Sequence, residues 1–156
     1  MSGSTVLVLG VGNLLMGDEG VGVHAVRRLE QEGLPPGVAL VDGGTGGFHL
    51  LSYLSDYETM VMIDATMDGR PAGTVSVIRP RYASDFPRTL SAHDIGLRDL
   101  VESAALLRSL PAIHLVTISI DAMQPMQMSL SPAIEASLPR VVETVRELVA
   151  GLGSGR

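Results

Sequence analysis

Acidic residues follow four of the most apolar stretches of this chain: Asp18 and Glu19 come after Val6 to Leu9 across a glycine-dense loop, Asp42 ends Val38 to Val41, Asp64 ends Met60 to Ile63, and Asp121 ends Ile113 to Ile120. Carboxylates gathered in one place can hold a divalent cation or exchange protons with a substrate. A histidine joins them. Ser91-Ala92-His93-Asp94 reads as a capping box, with Ser91 as N-cap and Asp94 at the third helical position, ahead of Leu97, Leu100, Val101 and Ala104. Asp94 is then structural. His93 falls at the second helical position, where the positive end of the helix dipole disfavours imidazolium. Neutral imidazole and carboxylate together make an oxygen/nitrogen donor set suited to zinc, nickel, manganese or iron. The chain has no cysteine, so disulfides, thiolate metal sites and cysteine nucleophiles are excluded. Spacing does not choose among the ions, because the donors come from separate loops and no H-E-x-x-H helix is present.

Each acid also has a structural role open to it. Asp18 can cap the first helix with Glu19 in its first turn, and Asp42, Asp64 and Asp121 can each hydrogen-bond the turn after a strand. Any one of them proves little, and the convergence of four carries the functional signal. His24 and His114 lie inside a helix and a strand and read as packing or surface residues, as does His49 after Phe48.

The elements that must position these residues are legible from periodicity. Val6 to Leu9, Val38 to Val41, Met60 to Ile63, Val75 to Ile78 and Ile113 to Ile120 are apolar and rich in β-branched residues, and helix-period segments separate most of them. This alternation predicts a single three-layer α/β domain over residues 1–150, a mostly parallel, twisted five-stranded sheet with helices on both faces. In such sheets ligands bind at the carboxyl ends of the strands, where the acids stand. Only Asp68-Gly69-Arg70-Pro71-Ala72-Gly73 precedes the strand at Val75, too little for a crossover helix, so this strand is expected to be antiparallel and near an edge. In the last helix Ile134, Leu138, Val141, Val142, Val145, Leu148 and Val149 share one stripe, Ser131 caps and Pro132 opens it. Residues 151–156 read as a flexible Gly/Ser-rich tail.

Two glycine motifs invite a nucleotide reading. Gly10-Val11-Gly12-Asn13-Leu14-Leu15 has Leu15 where the third fingerprint glycine belongs, and Gly20-Val21-Gly22-Val23-His24-Ala25 falls inside the helix. Asp18 and Glu19 at the would-be pyrophosphate position repel phosphate, and no phosphate-loop lysine is present. A net charge of -6, three Tyr, two Phe and no Trp likewise exclude a nucleic-acid surface. No uncharged apolar run reaches about 18 residues, so no membrane span is expected. No secretory leader is evident after Met1, and a cytoplasmic location is expected.

At this point the motifs resemble those of the hydrogenase maturation endopeptidases. Leu9-Gly10-Val11-Gly12-Asn13-Leu14-Leu15 followed by Asp18-Glu19-Gly20-Val21-Gly22 is similar to that family's N-terminal signature. Asp42-Gly43-Gly44-Thr45-Gly46-Gly47 resembles its second motif, Ile63-Asp64-Ala65 its third, and Ser91-Ala92-His93-Asp94-Ile95-Gly96-Leu97 its fourth. The resemblance implies an aspartic-type peptidase that removes a short C-terminal extension from the large-subunit precursor of nickel-iron hydrogenase once nickel is inserted. By matching positions, Glu19, Asp64 and His93 would recognise the nickel, and Asp42, Gly43, Gly44 and Thr45 would line the substrate cleft. The nickel would be supplied by the precursor, with no permanent cofactor expected. Asp18 or Asp42 is the candidate general base.

One stretch departs from the family pattern. Where relatives carry a Glu-containing turn, this chain has Ile120-Asp121-Ala122-Met123-Gln124-Pro125-Met126-Gln127-Met128. Its methionines can form an adaptable apolar rim for a partner, or simply fill surface and core. Two other readings keep the triad: a non-catalytic nickel-checking chaperone on the same scaffold, and an unrelated metal-dependent hydrolase.

Overall fold

The structure, a computed structural model, describes residues 6–44, 56–80 and 112–154. Five strands form one sheet: β1 (Val6–Val11), β2 (Val38–Gly44), β3 (Thr59–Thr66), β4 (Val75–Ile78) and β5 (Ala112–Ser119), in the spatial order β2-β1-β3-β5-β4. β2, β1, β3 and β5 run parallel. β4 lies at the edge, antiparallel to β5, as its short connection requires. It does not fold back on β3 as a hairpin, because β5 occupies the place between them.

A 3₁₀ turn at Gly17–Gly20 leads into α1 (Val21–Glu32), and α2 (Pro132–Ser154) closes the described chain. Both helices pack on one face of the sheet. Val21, Ala25, Val26 and Leu29 of α1 and Ile134, Leu138, Val141, Val142, Val145 and Val149 of α2 meet Val8, Val61, Ile63, Val116 and Ile118. The opposite face, with Leu7, Leu9, Met60, Met62 and Leu115, is buried as well, as a largely parallel sheet demands. α2 continues past Gly151 to Ser154. The tail expected to begin there is helical at its start because Leu152 extends the apolar stripe and packs against the core.

The strands reach further than their apolar runs. β3 keeps pairing with β5 as far as Thr66 opposite Ser119, so Asp64 is a strand residue and not a terminal one. β2 likewise continues through Asp42 to Gly44, with a register shift where Gly10 pairs with Asp42 but Val11 with Gly44. Such a bulge re-aims a strand end locally and is common beside functional sites.

His24 and His114 pack as expected. Burial holds both imidazoles below their ordinary value of 6.5. For His24 a hydrogen bond to the Met128 backbone and the charges of Glu135 and Asp18 oppose burial, while Arg27 reinforces it; for His114 Arg79 reinforces it. His24 Nε2 and His114 Nδ1 have no hydrogen-bond partner among the described residues, which suits the neutral form. A histidine with a lowered folded pKa contributes its full stability above the unfolded value and loses it as pH falls through the folded one. The urea midpoint should therefore decline as pH drops below 6.5. The decline should be shallower in a His24→Gln/His114→Gln double variant, and an identical pH slope would show that neither histidine contributes.

Candidate active site

The loop between β1 and α1 is folded tightly on itself. Gly12, with φ of 141°, sits against the Glu19 backbone so closely that a Cβ would collide with the Glu19 carbonyl oxygen. This fold-back brings the Asn13 N–H to the side chain of Glu19, donating to Oε1 at 2.6 Å. Gly12 N–H also donates to the Gly44 carbonyl at 2.9 Å, and Gly44 N–H to Asp42 Oδ1 at 3.0 Å. Gly44, one of the glycines expected to line a substrate cleft, is thus tied by one hydrogen bond to the loop that holds Glu19 and by another to Asp42.

Glu19 is 4% exposed and Asp64 is fully buried. Both were expected in open loops, and both lie inside because the 3₁₀ turn carrying Glu19 packs against β3. Asp64 Oδ1 accepts from the Ala65 N–H at 2.8 Å. Where ionised, buried carboxylates on touching elements would attract a cation strongly, because water screens them poorly. His93 lies outside the described residues, as do Thr45, Ser91 and Asp94. Among the described residues no three His, Asp or Glu side chains are gathered to hold a metal.

Asp42 is placed differently. Side chains alternate along a strand, and Asp42 shares the face of Val38 and Leu40 toward α1, lining a groove with Val26, Arg27 and Leu29. Asp64 shares the opposite face with Met60 and Met62. β1 separates the two strands, which sets them about 10 Å apart at two strand spacings. Asp42 is exposed, and so is Asp121 beyond β5.

Asp18 does not cap α1, whose N-cap position is Gly20 and which has no side-chain cap. Its carboxylate instead accepts from Ser131 N–H and Ser131 Oγ, both at 2.7 Å, and from Gln124 Nε2 at 3.2 Å. Its own N–H donates to Gln124 Oε1 at 2.8 Å. Asp18 is therefore a latch joining the 3₁₀ turn to the segment that enters α2. Ser131 takes the N-cap position as expected, with its carbonyl accepting from Glu135 N–H at 2.8 Å, while its hydroxyl serves Asp18. Neither Gln124 nor Ser131 stood out in the sequence as a site residue, since their partner lies more than a hundred residues away. Asp18→Asn should lower stability by about 1–3 kcal/mol, because an amide nitrogen would then face donors in a buried setting. Urea unfolding checks this, and an unchanged midpoint would remove the latch from the account.

Comparison with known proteins decides the family. The family model described as hydrogenase maturation protease matches residues 23–148. The chain belongs to the hydrogenase maturation protease family. It is 36% identical to the hydrogenase expression/formation protein HupD of Rhodobacter capsulatus, over 93% of this chain and 71% of that one. It is 33% identical to the hydrogenase 2 maturation protease of Escherichia coli K12, over 90% and 87% of the two chains. The structure superposes on the E. coli hydrogenase maturating endopeptidase HybD with a TM-score of 0.81 and 33% identity, covering 96% of this chain and 93% of that one. Family membership makes the protein a peptidase of hydrogenase precursor processing. No helix among the described residues is long and apolar enough to cross a membrane.

Proposed function

We propose that this protease acts in the cytoplasm on the large-subunit precursor of a nickel-iron hydrogenase, removing a C-terminal extension after nickel insertion, with Glu19, Asp64 and His93 meeting a nickel ion that belongs to the precursor. The observation that carries this reading is the burial of Glu19 and Asp64 on two elements that touch at the carboxyl edge of the sheet. With one imidazole they form a donor set that a borderline divalent ion accepts. An ion carried by the substrate and seated there would hold the scissile peptide in register and polarise its carbonyl or a water.

Asp42, Gly43, Gly44 and Thr45 form one wall of the substrate cleft in this reading. In this reading proton transfer is carboxylate chemistry, of aspartic type. Of the two candidate bases, Asp18 is engaged by Ser131 and Gln124 and acts by positioning. Asp42 is open to solvent and would act through an intervening water.

Incubation with a nickel-loaded large-subunit precursor, followed by its mass, tests the proposal. Loss of the C-terminal extension is expected with nickel-loaded precursor alone. An unchanged mass would overturn the peptidase assignment to this substrate and favour a nickel-checking chaperone. Cleavage of a nickel-free precursor would overturn the nickel-recognition role.

A further inference from the structure

The segment Ala122 to Ser131 and the loop Asn13 to Gly17 contain no charged residue, in a chain whose net charge is -6. The fold joins these two uncharged stretches. Met16 bridges Gln127, Gly17 N–H donates to the Gln127 carbonyl at 2.7 Å, Gln127 N–H to the Leu15 carbonyl at 3.1 Å, and Gln124 N–H to the Met16 carbonyl at 3.2 Å. The structure then sorts the methionines. Met123 packs against the core, whereas Met126 is 84% exposed, Met128 58%, and Leu15 beside them 50%. Met126 has a φ of 62°, the one positive value at a non-glycine residue among those described. Glycine would occupy that backbone without hindrance, so the conformation does not explain a large apolar side chain there.

We infer that Leu15, Met126 and Met128 form a docking ridge for an uncharged, apolar segment of the hydrogenase precursor. The inference rests on the function proposed above and adds a second contact to it. Continuity with the processing site identifies the occupant. Leu15 belongs to the same short loop as Glu19, and the methionine segment is latched to that loop through Gln124 and Asp18. A precursor that presents its metal to Glu19 must therefore pass beside the ridge. A second copy of this chain fits less well, since three side chains offer at most a few hundred Å², well under the roughly 1,200 Å² of a stable interface. Unbranched, polarisable methionines suit a surface that must adapt to a partner chain.

The test compares wild type with Met126→Ser/Met128→Ser and with Met126→Gly, measuring both binding and cleavage of nickel-loaded large-subunit precursor. In the double variant KM and the binding constant should weaken about tenfold, the equivalent of roughly 1.4 kcal/mol of lost apolar burial, with kcat within about twofold and melting temperature unchanged. Met126→Gly should melt no lower than wild type, its backbone being relaxed, yet bind more weakly. Unchanged KM and binding in these folded variants, with wild type cleaving normally, would overturn the ridge alone. Wild type that binds precursor without cutting it, and loses that binding in the double variant, would support the ridge while sinking the peptidase reading. Wild type that neither binds nor cuts overturns both. Self-association, or binding to anionic lipid vesicles, that is lost in the double variant while precursor affinity stays intact would assign the patch to another occupant and overturn the inference.

Discussion

Glu19→Gln, Asp64→Asn and His93→Ala should each reduce processing of nickel-loaded precursor by at least about 10²–10³-fold, the scale on which losing one preorganised electrostatic group is felt. The two amide substitutions are chosen for the burial of these side chains. Gln at position 19 keeps an oxygen for the Asn13 N–H, and Asn at position 64 keeps one for the Ala65 N–H. Loss of charge-assisted character in such bonds costs about 1 kcal/mol, so both variants should fold and melt within several degrees of wild type. Processing rate by mass spectrometry and melting by circular dichroism separate the two effects. Folded variants that process precursor at the wild-type rate would show that these residues do not recognise the metal.

The second large effect concerns stability. Gly22 lies where α1 meets the sheet, and a Cβ there would collide with the backbone oxygens of Ile63 and Val11. Gly10, on β1, faces the Gly22 carbonyl in the same way. None of these obstacles is a flexible side chain, so the helix itself must move off β1 and β3. Gly22→Ala should destabilise by about 3 kcal/mol or more, at the upper end of overpacking, and should also disturb the Glu19 turn that precedes α1. Gly151→Ala is the natural control: it lies in α2 with open space around it, and alanine there should add up to about 1 kcal/mol. Equal urea midpoints for the two variants would refute the close-packing account.

That glycine pair also explains the dinucleotide-like motif. One glycine of the nucleotide fingerprint exists for close packing of helix on strand, and Gly22 does this service here without any phosphate. The same physics has been put to a different end, with Asp18 and Glu19 at the helix entrance where an anion would otherwise sit.

Much of the architecture could be read in advance because it is written in neighbouring residues. The β-branched runs, the three-and-four stripe from Ile134 to Val149, and the short link before Val75 each encode one element locally, and from them follow the parallel sheet, α2 and the antiparallel edge strand. The placement of acids toward the carboxyl edge follows from the same order of elements. Strand ends were less legible, because pairing with β5 carries β3 beyond its apolar run to Thr66.

The amino-acid sequence by itself determined the elements, the cysteine-free donor chemistry and, through its motifs, the family. Only the tertiary structure decided which acids are buried, which face of the sheet each serves, and which methionines point outward. Asp18 shows why: its partners Gln124 and Ser131 are 106 and 113 residues away, and no local period encodes a contact at that separation. Periodicity tells a residue which side of its own strand or helix it occupies. What it meets there depends on how the strands are ordered and how closely the loops fold back.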